Sequence, residues 1–373
     1  MSPMSAQTGT PGPHSHPPID WSDPQREALF HRWLGEVAPA QGLRLDSVRL
    51  ASADASFRRY FRIDAQDGSS RILMDAPPDK ENSEPFVRIA ALMAQASLRV
   101  PEVLAWDQAA GFLLLSDLGQ HTMIECLDRD SASANTAVYR QAVDTLITLQ
   151  LASRPGVLPP YDRAVLEREL ALFPDWYVTQ YRGVAIDDTM RATLDQAFAA
   201  IVANNLEAPS VYVHRDFMPR NLMLPTGDDA RLGVLDFQDA LYGPITYDIA
   251  SLMRDAFLSW DEDFVLDITV RYWQEARKAG LLGANSASGW GDDFGAFYRA
   301  VEWMGLQRHL KVAGIFARLT LRDGKPRYLA DTPRFIAYIR GAASRYRELK
   351  PLLRLVDQIE GTQAVTGFAY GRI

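Results

Sequence analysis

The hydrophobic pattern divides the chain into a strand-rich first part and a helix-rich remainder. Asp23 and Pro24 read as an N-cap and first helical residue, and Leu29, Phe30, Trp33, Leu34 and Val37 then share one helical face. From Leu43 short apolar runs alternate with turn signals: Leu43 to Leu50, Phe57 to Ile63 and, beyond Asp67-Gly68, Arg71 to Asp75. These predict three antiparallel strands. A helix over Glu84 to Ala96, a strand over Pro101 to Trp106 and a strongly apolar strand over Phe112 to Ser116 complete a β-rich lobe with one inserted helix. Beyond it the helical period dominates, at roughly 134–151, 162–181, 189–204, 246–257, 262–279, 291–316 and 332–346. Short strands are predicted at Val211 to Val213 and Leu232 to Asp236, and the chain has no internal repeat.

A length of 373 residues suits two lobes, placed at 21–118 and 119–373. Residues 1–20, with five prolines among Ser, Thr, Gly and His and no apolar run for a signal peptide, read as a floppy tail. No later segment approaches the ~18 consecutive apolar residues of a membrane helix, so a soluble chain is expected. Cys126 is the single cysteine, which rules out an internal disulfide or a multi-thiolate zinc site and fits the cytoplasm. The formal charge of −8 argues against nucleic acid or anionic membrane as a partner. The sequence does not set the oligomeric state. One basic stretch stands out, where Arg308, Lys311, Arg318, Arg322, Lys325 and Arg327 face a single acid, Asp323.

The chemistry concentrates in Val211-Tyr-Val-His214-Arg215-Asp216-Phe-Met-Pro-Arg220-Asn221, followed by Gly233-Val-Leu-Asp236-Phe237. A strand delivers His-Arg-Asp, an asparagine follows the aspartate by five positions, and a second strand ends in another aspartate. Phosphoryl transfer needs this set of parts: a carboxylate to orient or deprotonate the attacking hydroxyl, and oxygen ligands that hold Mg2+ against the phosphates of ATP. Asp216 suits the first role, and Asn221 with Asp236 the second. His214 is read as structural, a ring whose hydrogen bonds shape the loop.

With these residues in place, the segment from about 43 to 260 resembles the aminoglycoside phosphotransferase and choline kinase group. That group has a protein-kinase-like, two-lobed α+β fold with a β-rich N-terminal lobe and a mainly helical C-terminal lobe. Its loop pattern HxDxxxxN is matched by His214, Asp216 and Asn221, and its later metal-binding aspartate by Asp236. Tyr247-Asp248-Ile249-Ala250 looks like the segment in which an aspartate braces the catalytic loop; an acid favoured at a helix N-terminus is the other reading of Asp248. The small-residue turn ending at Ser56 matches the loop folded over nucleotide phosphates, with an ordinary hairpin turn as the alternative. Ser116, Asp117 and Leu118 match the hinge whose backbone meets adenine.

One departure is plain. The resemblance puts Met74 where most members carry a phosphate-binding lysine, and methionine supplies no charge. Arg58, Arg59, Arg62 and Arg71 are nearby cations, any of which could serve, and Arg59 is counted among the candidate nucleotide-binding residues; a decorated solvated strand is the alternative.

The helical part carries Glu302-Trp-Met-Gly-Leu-Gln-Arg308-His309-Leu-Lys311, with Arg308 and Lys311 three apart on one face. This block, Phe57-Arg-Arg-Tyr-Phe-Arg62 and the Met74-Asp75-Ala76-Pro77 variant look like the bacterial amino-sugar kinases of cell-wall recycling. The resemblance implies phosphorylation of the anomeric hydroxyl of N-acetylmuramate and N-acetylglucosamine. Arg308, His309 and Lys311 would bind the lactyl carboxylate of N-acetylmuramate, or else form the solvated side of a packed helix. Trp176 and Trp303 are candidates for stacking on a sugar or for core packing. Two other functions stay open: a kinase for another hydroxylated small molecule, such as an aminoglycoside or choline, and a pseudokinase that only binds.

Overall fold

The computed structural model describes residues 19–53, 57–226, 229–283 and 289–362. They form two compact units, one of the residues up to Ala90 with Pro101–Asp117, the other of Ala91–Val100 with the residues from Leu118 onward. Most of the tail expected over residues 1–20, and Ser56, lie outside the described residues.

In the first unit, α1 (Pro24–Gln41) starts on Asp23, whose side chain accepts from Gln25 N, and stops at Gly42 in a left-handed conformation, φ 61°. Five strands follow in an antiparallel sheet: β1 (Arg49–Ala53), β2 (Arg59–Asp64), β3 (Ser70–Asp75), β4 (Val103–Asp107) and β5 (Phe112–Ser116), in the order β1-β2-β3-β5-β4. The helix α2 (Glu84–Gln95) is inserted between β3 and β4. Phe61, Ile63, Leu73, Phe112 and Leu114 pack with Phe30, Trp33, Leu34 and Ala38 of α1 as one apolar core. Strand alternation therefore turns Tyr60, Arg62 and Met74 to the other face of the sheet.

The strand expected over Leu43 to Leu50 is broken. Leu43 makes only a bridge to Ala65, and Leu45–Ser47 is a 3₁₀ turn. There Ser47 Oγ donates to the Arg44 carbonyl at 2.6 Å and accepts from Asp64 N at 2.9 Å, so a side chain replaces ladder bonds until β1 begins.

The second unit is mainly helical: α3 (Met123–Cys126), α4 (Thr136–Leu151), α5 (Arg163–Leu172), α6 (Asp188–Leu206), α7 (Thr246–Met253), α8 (Glu262–Lys278), α9 (Phe294–Leu321), α10 (Thr332–Arg345) and α11 (Lys350–Glu360). Two small two-stranded antiparallel sheets, β6 (Ser210–Val213) with β9 (Leu241–Pro244) and β7 (Leu222–Met223) with β8 (Gly233–Val234), flank the loop that follows β6. The strand predicted over Leu232 to Asp236 pairs for only two residues, because Asp236 turns left-handed at φ 65°.

The helix predicted over 162–181 changes gauge part-way. After α5, Phe173–Tyr181 is π-helical with Pro174 in its first turn, where the missing N–H and the ring disfavour continued α geometry. Every residue from Ala300 to Gly314 of α9 is buried. Its contacts fall on α5, α7, α10 and the π-helical segment. Gly314 permits a close approach to the end of α5, since a Cβ there would lie 2.3 Å from the carbonyl oxygen of Leu172.

Candidate active site

All of the loop residues singled out in the sequence lie in the second unit. β6 ends at Val213 and passes His214 and Arg215 before reaching Asp216. Arg215 is left-handed, φ 77°, a conformation rare for a side chain of this kind and stable only where surroundings hold it. Those surroundings are visible. One carboxylate, Asp248 at the start of α7, accepts from both neighbouring amides, His214 N at 2.7 Å and Arg215 N at 3.0 Å. Successive N–H groups around a left-handed residue form a small anion nest, and Asp248 fills it.

Asp248 is fully buried, and burial lifts its pKa to about 6 against the opposing pull of His214, the two amide bonds and Arg308. Burial likewise pushes His214 down, so its imidazole is neutral. Its Nε2 lies 2.9 Å from the Leu235 carbonyl, an acceptor, which assigns the proton to Nε2 and leaves Nδ1 to accept from Asp216 N at 3.3 Å.

Asn221 joins the two remaining acids. Its Nδ2 donates to the Asp216 carbonyl at 2.8 Å and to Asp236 Oδ2 at 3.3 Å, while Gln238 Nε2 donates to Asp236 Oδ1 at 2.8 Å. His214, Asp216, Asn221, Asp236 and Asp248 thus form one connected group. Among the described residues no three His, Cys, Asp or Glu side chains cluster as a protein-only metal cage. An amide and a carboxylate are nevertheless hard oxygen donors of the kind that suit Mg2+ when phosphate oxygens and water complete its shell.

The three basic residues of α9 separate. His309 points to Arg254, its Nε2 3.0 Å from that carbonyl, and its ring stacks 4.5 Å from Tyr338; burial and the neighbouring Arg308 lower its pKa to about 3. Lys311 donates to the Tyr247 hydroxyl at 2.9 Å and pairs with Glu169 at 3.3 Å. Arg308 lies 5.2 Å over the Tyr247 ring with Nη2 3.5 Å from the Arg215 carbonyl, and its buried Nε has no hydrogen-bond partner among the described residues. The basic stretch is therefore not one surface patch: Arg308 and Lys311 are buried, whereas Arg322 pairs with Asp323 in solvent. Trp303 is buried edge-on to Tyr346 and belongs to the core; Trp176 is half-buried.

Sequence reasoning missed Glu169 of α5. It accepts from Arg215 Nη2 at 2.6 Å, Gln307 Nε2 at 3.0 Å and the Tyr161 hydroxyl. Burial opposes its charge, but Lys311, Arg215, Tyr161 and Gln307 outweigh it and hold the carboxyl at about 2. An acid between the buried positions Leu166 and Leu170 was the available signal.

In the first unit Met74 is fully buried between Tyr60 and Leu113. Arg59 does not reach its side of the sheet. It lies on the α1 face, paired at 2.6 Å with buried Asp75, which Arg26 also holds at 2.6 Å. Strand alternation thus sets Arg59 on the face of the sheet opposite Met74, the position of the absent lysine. Arg58 pairs with Glu81 at 3.2 Å, and Arg62 shares the Met74 face and donates to Asp117 through Nε at 2.6 Å and Nη2 at 3.2 Å. Ser70 Oγ also donates to Asp117, at 2.6 Å. Ser116 pairs with Glu102, its N to the Glu102 carbonyl at 2.9 Å and its Oγ accepting from Glu102 N at 2.8 Å. The Leu118 carbonyl accepts from Arg99 at 2.9 Å.

Residues 47–282 match the model of the phosphotransferase enzyme family. The chain belongs to that family. It is 47% identical over 348 residues to the N-acetylmuramate/N-acetylglucosamine kinase of Neisseria meningitidis serogroup B, covering 93% of this chain and all of the relative. The protein of the same name from Pseudomonas aeruginosa is also 47% identical, over 92% of this chain and 96% of its own length. Among solved structures, an ethanolamine kinase of Plasmodium vivax superposes with a TM-score of 0.60 at 11% identity, covering 89% of this chain and 90% of its own. That last likeness carries the protein-kinase-like fold alone.

Proposed function

We propose that this phosphotransferase is an ATP-dependent, Mg2+-requiring kinase that phosphorylates the anomeric hydroxyl of N-acetylmuramate and N-acetylglucosamine in the cytoplasm, within peptidoglycan recycling. The observation that carries the reaction type is the connected group around Asn221, which ties Asp216 to Asp236. The sugar class rests on the similarity to kinases of that name.

Asp216 orients the sugar hydroxyl and receives its proton as the hydroxyl oxygen attacks the γ-phosphorus and the bond to the β-phosphate oxygen breaks, giving a sugar 1-phosphate and ADP. Asn221 and Asp236 would hold the metal, which when bound offsets phosphate charge. Asp248 and His214 keep the loop in register for that geometry. Ser116, Asp117 and Leu118 offer backbone groups to the nucleotide, with the Asp117 side chain occupied by Arg62 and Ser70. Of the α9 cations, Arg308 is assigned to the lactyl carboxylate because its Nε keeps a donor, whereas Lys311 serves Glu169 and His309 serves Arg254.

The test is transfer from Mg-ATP to both sugars, with product identified by mass and phosphorus NMR. D216N should abolish transfer while nucleotide binding survives; near-normal turnover would remove Asp216 from its role. R308Q should lower kcat/KM for N-acetylmuramate by about 10- to 100-fold more than for N-acetylglucosamine, the worth of a charged hydrogen bond, while any loss common to both sugars reports the Arg308 contact with the Arg215 carbonyl. Equal losses for both sugars would return Arg308 to a structural part.

A further inference from the structure

We propose that Glu169 is a positioning residue for transfer: it grips the left-handed residue Arg215 and through it sets the direction of Asp216, an inference that rests on the reading of Asp216 given above. The residue before Asp216 is held at three points besides a 3.5 Å contact from its Nη1 to the Asp239 carbonyl. Its N–H donates to Asp248 Oδ1 at 3.0 Å, its carbonyl faces Arg308 Nη2 at 3.5 Å, and its guanidinium donates to Glu169 Oε1 at 2.6 Å. The first two act on the peptide itself. The third fixes the far end of the side chain, so rotation about the Arg215 backbone, which would carry Asp216 with it, is opposed by a lever as well as by a pivot.

Glu169 can serve as an anchor because it is itself immobilised from two further elements. Gln307 and Lys311 of α9 reach it from one, and the Tyr161 hydroxyl from the segment before α5. A neutral residue would not replace it. Arg215 and Lys311 both pair with this one carboxylate, and without it neither cation keeps an ion-pair partner among the described residues. The Arg215 side chain is partly exposed and has solvent to turn to, whereas Lys311 is buried. Loss of Glu169 therefore releases the loop residue before it releases the helix. Nothing in the phosphoryl-transfer motif names this acid, which lies 46 residues upstream of its partner.

Three variants test the proposal in a coupled ADP-release assay with saturating Mg-ATP and N-acetylglucosamine. E169Q should lower kcat by about 10- to 100-fold, the scale of an ångström-sized misplacement, while KM for both substrates stays within about twofold. Because E169Q leaves two buried cations and can lose stability, the charge-reduced double variant E169Q/K311M is measured beside it. It should recover thermal stability and keep the low kcat, a split that a purely structural acid would not produce. R215Q should show the same loss as E169Q, and R215Q/E169Q no more than either alone. Wild-type kcat in a folded E169Q or E169Q/K311M variant overturns the proposal, as does recovery of kcat together with stability, or full additivity of the R215Q and E169Q losses. D216N, run in parallel, keeps the two questions apart: active D216N defeats the reading of Asp216, whereas inactive D216N with normal Glu169 variants defeats only the positioning role.

Discussion

Replacing Asp248 by asparagine separates what this carboxylate does for the loop from what it costs the fold. In the native state it accepts two amide bonds, at 2.7 and 3.0 Å, and its pKa stands at about 6 because it is buried. The move from an ordinary 3.8 to about 6 corresponds to about 3 kcal/mol against the charged form at neutral pH. A hydrogen bond to a charged acceptor is worth about 1.5–3 kcal/mol. D248N keeps one acceptor oxygen and presents an NH2 group to the other amide, so one such bond is lost while the ionisation cost disappears. The two effects nearly cancel, and stability at pH 7.5 should change by no more than about 1–2 kcal/mol. Activity should not be spared, because one of the amides that hold Arg215 left-handed is released; kcat should fall by about 10- to 100-fold. The pH dependence has a definite sign. The folded carboxyl keeps its proton to higher pH than the unfolded one, so this group's contribution to stability declines between about pH 4 and 6 and is level above. Urea unfolding of both proteins should show the wild-type advantage over D248N shrinking by about 1–2 kcal/mol from pH 4.5 to 7.5. Wild-type kcat in D248N would dismiss the brace, and a stability difference that is flat with pH would dismiss the elevated pKa.

Two further substitutions probe the frame around the site. M74K should destabilise by about 2–5 kcal/mol without raising kcat, since a lysine there is fully buried between Tyr60 and Leu113; a large gain in turnover, read in the same assay, would mean the native site lacks a cation it needs. G314A should cost about 3 kcal/mol or more in urea unfolding, because the new methyl would lie 2.3 Å from a backbone oxygen of Leu172; an unchanged midpoint would refute that close approach.

The loop chemistry was legible because it is local. His214, Asp216 and Asn221 lie within eight residues, and a short strand delivers them, so spacing alone brings them together. The five strands of the first unit were legible for the same reason, apart from the Ser47 turn, where one hydroxyl outbids an apolar strand pattern. What could not be read is what depends on distant partners. Arg59 and Arg62 look alike in sequence, and only the register with Asp75 and Ile72 tells which face each serves. Glu169 meets Gln307 across 138 residues, and no spacing rule reaches that far. The helix α11 was missed although Leu352, Leu355, Val356 and Ile359 keep helical spacing; Pro351 stands in its first turn, where a proline starts a helix as readily as it stops one.

The unbroken burial of Ala300 to Gly314 has a consequence for how this protein can vary in length. Gln307, Arg308, His309 and Lys311 meet partners in different directions, the Glu169 carboxylate, the Arg215 carbonyl and the Arg254 carbonyl among them. Adding or removing one residue upstream within this stretch would turn everything after it by about 100° and shift it by 1.5 Å. All four contacts would fail at once, and no exposed side of the helix exists there to absorb the slip. Length changes in α9 are thus confined to its ends, and a single-codon deletion between Ala300 and Gly314 should be as damaging as loss of the catalytic loop itself.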